Sequence, residues 1–390
     1  AQGFSSSSNG FGGFPRDTTA SQDSTAFYID LEADVTDALT LQAAVRYEDF
    51  SVFGGTTNYK LAGIYRVSDN LRVRFARSTG FHAPTSGQAS ITNVTTQNQL
   101  INGVPTLVDQ GTLPLSSAAG QLAASFVESQ SGVRPELGTE DADNYSFGIA
   151  VDVDAFSFTL DYYNIKVTDR IALGANVNFL DALNAVNGDS YTQVGLALAG
   201  LDADGTIDRQ NFVGLDDLSQ FRFFTNAFGT NTQGLDLVGS VDLDAMGGMS
   251  TLTFAFNYNE TEVPDQYVGG GFLQIGEGRR SALEDQLPNI KGNVAWSHTA
   301  GNLRTLIRAN YYGPWRSTGN GYNADATTMI DLQLAYQVNE NLEVVVGADN
   351  LFDEYPDKNP GRGGSGQLYP EDSPFGFNGG SWYVQGRYNF

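Results

Sequence analysis

The chain has no cysteine, only two histidines among 390 residues, and fewer than half as many basic groups (21) as acidic ones (45). The missing cysteine is silent about compartment, because a sheet that closes on itself needs no disulfide staple. His82 and His298 stand far apart in the chain, which argues against a histidine-based metal or catalytic site. A formal charge of −24 argues against a nucleic-acid partner and suits solvated, Asp-rich loops or an attraction for cations. Nowhere do apolar residues run long enough for a membrane-spanning helix, but spanning strands escape that test because only alternate residues face lipid. The first residues, AQGFSSSSNGFGGFPRDTTASQ, carry neither the basic nor the apolar region of a signal peptide. Their Ser and Gly content predicts an external loop over 1–23 at a chain break, with a further segment upstream.

Glycine (45), phenylalanine (25) and tyrosine (18) are abundant, and the apolar pattern has period two. At the C-terminus Trp382, Val384, Gly386, Tyr388 and Phe390 share one strand face, and Tyr383, Gln385, Arg387 and Asn389 the other. A terminal strand with these two faces suits a barrel wall between lipid and a wet lumen. The alternation recurs at 27–35, 39–47, 59–67 and 71–75, and near 142–153, 155–167, 222–244, 249–262, 285–298, 302–314, 325–338, 341–352 and 379–390. Turns at 36–38, 68–70, 153–154, 245–248, 299–301 and 339–340 are short, whereas the others, 80–141, 168–221, 263–284, 315–324 and 353–378, are mostly long, with 51–56 the exception. Short turns on one side and long loops on the other predict a transmembrane barrel over 24–390, with the short side periplasmic and the long loops extracellular. Thirteen strands is an odd number, so the sheet should not close by itself, because an open edge leaves backbone groups unpaired in hydrocarbon.

Four segments carry a family likeness. Val345–Pro356 (VVGADNLFDEYP) resembles the penultimate-strand signature of TonB-dependent receptors, and an aromatic-ended last strand follows it. Phe75–Thr85 (FARSTGFHAPT) is similar to that family's Gly-Phe-Arg-Ala-Pro segment, with His82 in place of the usual Arg. Arg134-Pro135-Glu136 resembles its Pro-Glu segment, and Asn226–Asp236 (NAFGTNTQGLD) its Asn-rich approach to a Gly-Leu-Glu strand. The resemblance covers 24–390 and implies an all-β, antiparallel, 22-stranded barrel filled by an N-terminal plug. The present chain would supply about 13 strands, and a separate or missing upstream part would supply the plug and about nine more.

The resemblance further implies active import of a scarce nutrient, such as an iron chelate, cobalamin or an oligosaccharide, across the outer membrane of a Gram-negative bacterium. The implied partners are that upstream half, a TonB-type energy-coupling complex acting through the plug, and the lipid bilayer; a surface protein is a further candidate partner under the scaffold alternative, and the acidic balance argues against nucleic acid. The alternatives are a passive porin-like channel of about 14 strands, with an extra strand within 86–140 or 168–221, and a surface-anchoring barrel scaffold. No catalytic arrangement is recognisable, so an enzyme is not expected. Arg46, Lys60, Arg66, Arg72, Arg74, Arg304 and Arg308 fall on the polar face, either facing a plug or simply lining a wet lumen. His82, Tyr163 and Trp315 are substrate-binding candidates, weighed against rim packing and an interfacial aromatic girdle for the aromatic clusters near strand ends. No cofactor is expected, except that Asp202, Asp204 and Asp208 form a candidate Ca²⁺ cluster in 202–208, shorter than an EF-hand loop, whose alternative is a solvated turn.

Overall fold

The computed structural model describes residues 20–101, 104–178, 220–318, 321–359 and 368–389. Thirteen strands form one antiparallel sheet in strict chain order. They are β1 (Ser24–Thr36), β2 (Leu39–Phe50), β3 (Gly54–Ser68), β4 (Leu71–His82), β5 (Glu140–Val153), β6 (Phe156–Leu173) and β7 (Phe224–Ala245). The sheet continues through β8 (Gly248–Glu262), β9 (Ile290–Ala300), β10 (Leu303–Tyr312), β11 (Thr327–Gln337), β12 (Leu342–Asp349) and β13 (Ser381–Tyr388). Among the described residues β1 pairs only with β2 and β13 only with β12, so the sheet is open. Strand direction alternates, and an odd count makes β1 and β13 run the same way. They therefore cannot close the sheet as an antiparallel pair.

Register carries the period-two pattern across the sheet. Phe27 opposes Tyr47, Ile29 opposes Val45 and Leu31 opposes Ala43 on one face, while Tyr28 opposes Arg46, Glu32 opposes Gln42 and Asp34 opposes Thr40 on the other. A slip of one residue would exchange the two faces, so each apolar row holds the register of the next. Among the described residues the apolar face has no protein cover: Phe27 is 70% exposed, Trp382 71% and Val384 76%. Apolar surface that continuous calls for an apolar medium against it. No helix among the described residues is long and apolar enough to cross a membrane.

At one end the hairpins are tight. Met246 and Gly247, between β7 and β8, both adopt positive φ (52° and 75°), as a two-residue hairpin turn matched to strand twist requires. At the other end several strands run well past the nine to eleven residues that span a bilayer. β6 has 18 residues and β7 has 22. Beyond them the connections fold into a cap. It contains a four-stranded sheet built from Asn93–Ile101, Val104–Thr112, Gln220–Arg222 and Val177–Asn178, and a helix over Ala118–Ser131. Leu113, Leu122, Ala123, Val127, Val177, Phe223, Phe228 and Val263 are all nearly inaccessible, so much of the packed apolar core lies in the cap.

Some strand limits differ from the sequence expectation. β4 continues to His82, paired with β5, and β6 to Leu173, paired with β7, because cross-strand pairing persists above the apolar band. β9 begins at Ile290 rather than 285, because a helix occupies Glu277–Glu284 and Pro288 lacks the N–H a ladder needs.

Candidate functional site

The polar face and the cap above it gather the groups able to meet a ligand. On the polar face, glycines let long side chains cross a neighbouring strand. Arg74 of β4 passes over Gly148 of β5 to a bidentate pair with Asp161 of β6, and a Cβ at Gly148 would occupy the place of that carboxylate. Tyr163 of β6 crosses Gly234 of β7 and accepts from Asn257 Nδ2 (3.3 Å) and Asn259 Nδ2 (2.9 Å) of β8. Tyr383 of β13 crosses Gly347 of β12 and accepts from Gln333 Nε2 of β11 at 2.9 Å. Each crossing joins three strands on the wet face. Further charges are paired there: Arg46 with Glu48 at 2.7 Å, Arg72 with Asp152, and Glu343 with both Arg304 (3.1 Å) and Arg387 (3.2 Å).

The cap is tied to the wall by polar side chains. Asn226, in the bulged start of β7, donates to the carbonyls of Gly138, Thr139 and Asp169 and accepts from the Gly138 N–H. Thr225 Oγ1 and the Asn226 N–H both donate to the Glu136 carbonyl, at 2.8 and 3.0 Å. The Arg-Pro-Glu segment and the Asn-rich segment, some ninety residues apart, are thus joined edge to edge. In VVGADNLFDEYP, Asn350 adopts φ 52° and its amide both donates to the Glu354 carbonyl (2.8 Å) and accepts from its N–H (3.0 Å). Asp353 Oδ1 then accepts from Gly380 N–H at 2.7 Å, delivering the chain to β13.

Electrostatics in the cap follow from these contacts. Hydrogen bonding to Glu284, and then to Asp265, raises the Arg280 guanidinium above its ordinary value. Glu284 Oε1 also accepts the Val263 N–H at 2.8 Å, which closes the 263–284 loop onto β8. Burial lowers Arg222, whose Nε has no hydrogen-bond partner among the described residues.

The residues singled out in the sequence are dispersed. Arg46, Lys60, Arg66, Arg72, Arg74, Arg304 and Arg308 do share the polar face, with Arg66 opposite Arg72 and Arg308 opposite Asp331. His82 ends β4 with Nδ1 4.0 Å from Glu140 Oε2. Tyr163 belongs to the β6–β8 crossing described above. Trp315 is 4% exposed, so it is a core residue of the cap and not a free stacking surface or girdle residue. Phe223, at 4%, is likewise core. Adjacent aromatics also part company, with Tyr162 and Tyr311 on the apolar face and Tyr163 and Tyr312 on the polar one. Asp202, Asp204 and Asp208 lie outside the described residues. Sequence reasoning passed over Asp161, Asn257, Asn259 and Lys291, whose only signal was their polar phase on otherwise apolar strands.

The family model for TonB-dependent receptor-like β-barrels matches residues 2–351. No curated protein matches the chain. Among solved structures, a variant of the ferric enterobactin receptor PfeA of Pseudomonas aeruginosa aligns with a TM-score of 0.62 at 15% identity, over 99% of this chain and 47% of that one. The siderophore receptor PirA of Acinetobacter baumannii gives 0.61 at 16% identity, over 99% and 49%. PirA of Pseudomonas aeruginosa gives 0.53 at 15%, over 95% and 48%. The chain spans about half the length of these receptors, and the likeness is one of fold.

Proposed function

We propose, because this chain belongs to the TonB-dependent receptor-like β-barrel family, that it forms the C-terminal wall and part of the outer cap of an active importer in the outer membrane of a Gram-negative bacterium. One observation carries the proposal. The sheet has an apolar face, a wet face, tight turns at one end and a packed cap at the other, which is how a transmembrane barrel divides lipid, lumen and the two aqueous sides. In this reading the short turns are periplasmic and the cap is extracellular. The family is one of transporters, so the cap is a receptor surface rather than an active site.

The open sheet favours completion by an upstream part. An odd number of further strands would let β1 and β13 each find an antiparallel neighbour, and about nine would complete the 22-stranded barrel of outer-membrane transporters. A passive channel of about 14 strands would need an extra wall strand. The described parts of 86–140 and 168–178 extend β5 and β6 and otherwise build the cap, which speaks against it. Within the import reading a plug occupies the lumen, where Lys60, Arg66 and Arg308 face it, and a TonB-type complex acts on that plug. An iron chelate is the expected cargo, in line with the ferric enterobactin and siderophore receptors of the same fold.

The test is uptake by cells carrying the intact receptor, with and without a working TonB complex. Outer-membrane fractionation and accumulation of an iron chelate that stops when the complex is removed are expected. A receptor that admits solutes equally well without energy coupling would return the channel reading.

A further inference from the structure

Two cavities open on the wet face, one of 280 Å³ and one of 160 Å³ against Leu283 and Glu284 of the Glu277–Glu284 helix, and they share Asn257 and Lys291 in their walls. They therefore form a single trough over β7–β10. Lys291 forms no ion pair among the described residues, although Asp236 lines the same trough. The amides around it are held in one sense. Asn257 Nδ2 donates to Asp236 Oδ1 at 2.6 Å, and Asn310 Nδ2 donates to Asp331 Oδ2 at 2.8 Å. An ionised carboxylate only accepts, so each amide must keep its NH₂ toward the wall. The Oδ1 atoms of Asn257 and Asn310 then have no protein donor among the described residues. Asn259, whose Nδ2 is engaged by the Tyr163 hydroxyl, extends the same row.

The trough thus offers a row of amide acceptors around one ammonium that makes no ion pair among the described residues. Acceptors in series match hydroxyl donors, and the ammonium matches an anion or an oxygen-rich ligand atom. We propose that this trough is a substrate subsite for a polyhydroxy carboxylate, with the carboxylate at Lys291 and the hydroxyls at Asn257, Asn259 and Asn310. The subsite deepens the import reading and rests on it. Such a group reaches the trough either as a free sugar acid or as a ligand of ferric iron, because hydroxy acids chelate iron through the same oxygens. In both cases Lys291 reads the charge and the asparagines read the hydroxyl pattern.

The experiment is calorimetric titration of the intact purified receptor with gluconate, with equimolar ferric gluconate, and with sorbitol as the uncharged control. Gluconate in one or both forms should bind, and sorbitol should bind more weakly. Lys291→Met should weaken binding by about tenfold or more, while Lys291→Arg keeps most of it. Heat-modifiable migration on a gel verifies that both variants fold. If a folded receptor binds neither form of gluconate, or binds it equally in Lys291→Met, the subsite is wrong. Energy-coupled uptake of an iron chelate is scored separately: its persistence without gluconate binding rejects the trough alone, and its absence rejects the importer.

Discussion

Tyr163 reaches across Gly234, and the absence of a side chain on that glycine is what allows its hydroxyl to touch Asn257 and Asn259 two strands away. The contact is a sheet device. A glycine alone weakens a strand, and an aromatic ring laid over it restores packing. The same pairing occurs on the apolar face, where a Cβ at Gly63 would stand 2.6 Å from the Phe75 ring.

Tyr163→Phe keeps the ring over Gly234 and removes the acceptor. It should destabilise the wall by about 1 kcal/mol, the usual net worth of a hydrogen bond, with the strand content unchanged. Denaturant unfolding followed by tryptophan fluorescence measures this, and an unaltered midpoint would show that the two asparagines do not depend on the hydroxyl.

Gly148→Ala places a methyl group where the Arg74–Asp161 pair now sits. Overpacking of this kind costs about 1–3 kcal/mol. Because the clash is with these two side chains, Gly148→Ala should be milder in an Asp161→Ala background. A double-mutant cycle reads the coupling, and strictly additive effects would contradict the crossing.

Asn226→Ala removes a side chain that holds two segments of cap and a bulged strand. Several backbone groups lose their partner at once, at about 1–3 kcal/mol each where they stay dry. The expected phenotype is local: faster proteolysis within 134–140 while the barrel strands remain protected. Cleavage that spreads through the wall would place Asn226 in global folding instead.

Hydrogen bonding to Asp353 raises the Tyr355 phenol above its ordinary value, and burial with Asp357 and Asp372 raises Tyr322. A phenol whose folded pKa lies above the unfolded one contributes stability that is whole below about pH 10 and is lost as pH rises through the folded value. The loops around 322 and 355 should therefore loosen only in strong alkali. Absorbance titration near 295 nm tests it, and Asp353→Asn should bring the Tyr355 transition down.

The strand from Phe27 to Val35 was plain because every second residue is apolar, and its pairing with 39–47 followed from a short turn. The end of β6 was not plain: beyond Val167 the chain carries polar and apolar residues without the lipid-facing period, yet pairing continues to Leu173. Nor could the pattern show that Trp315 and Phe223 are buried, since the bulk of an aromatic residue suits a membrane girdle and a cap core equally.

The sequence by itself determined the wall strands, their two faces and their number, because each is a local property of a two-residue period and of the turn that follows. Only the tertiary structure decided which residues meet across strands. Arg74 and Asp161 are 87 positions apart, and their pairing depends on register and on one intervening glycine. The cap, the Asn226 staple and the trough around Lys291 were decided there too, because each is made of side chains that converge only when distant loops and strands are laid side by side.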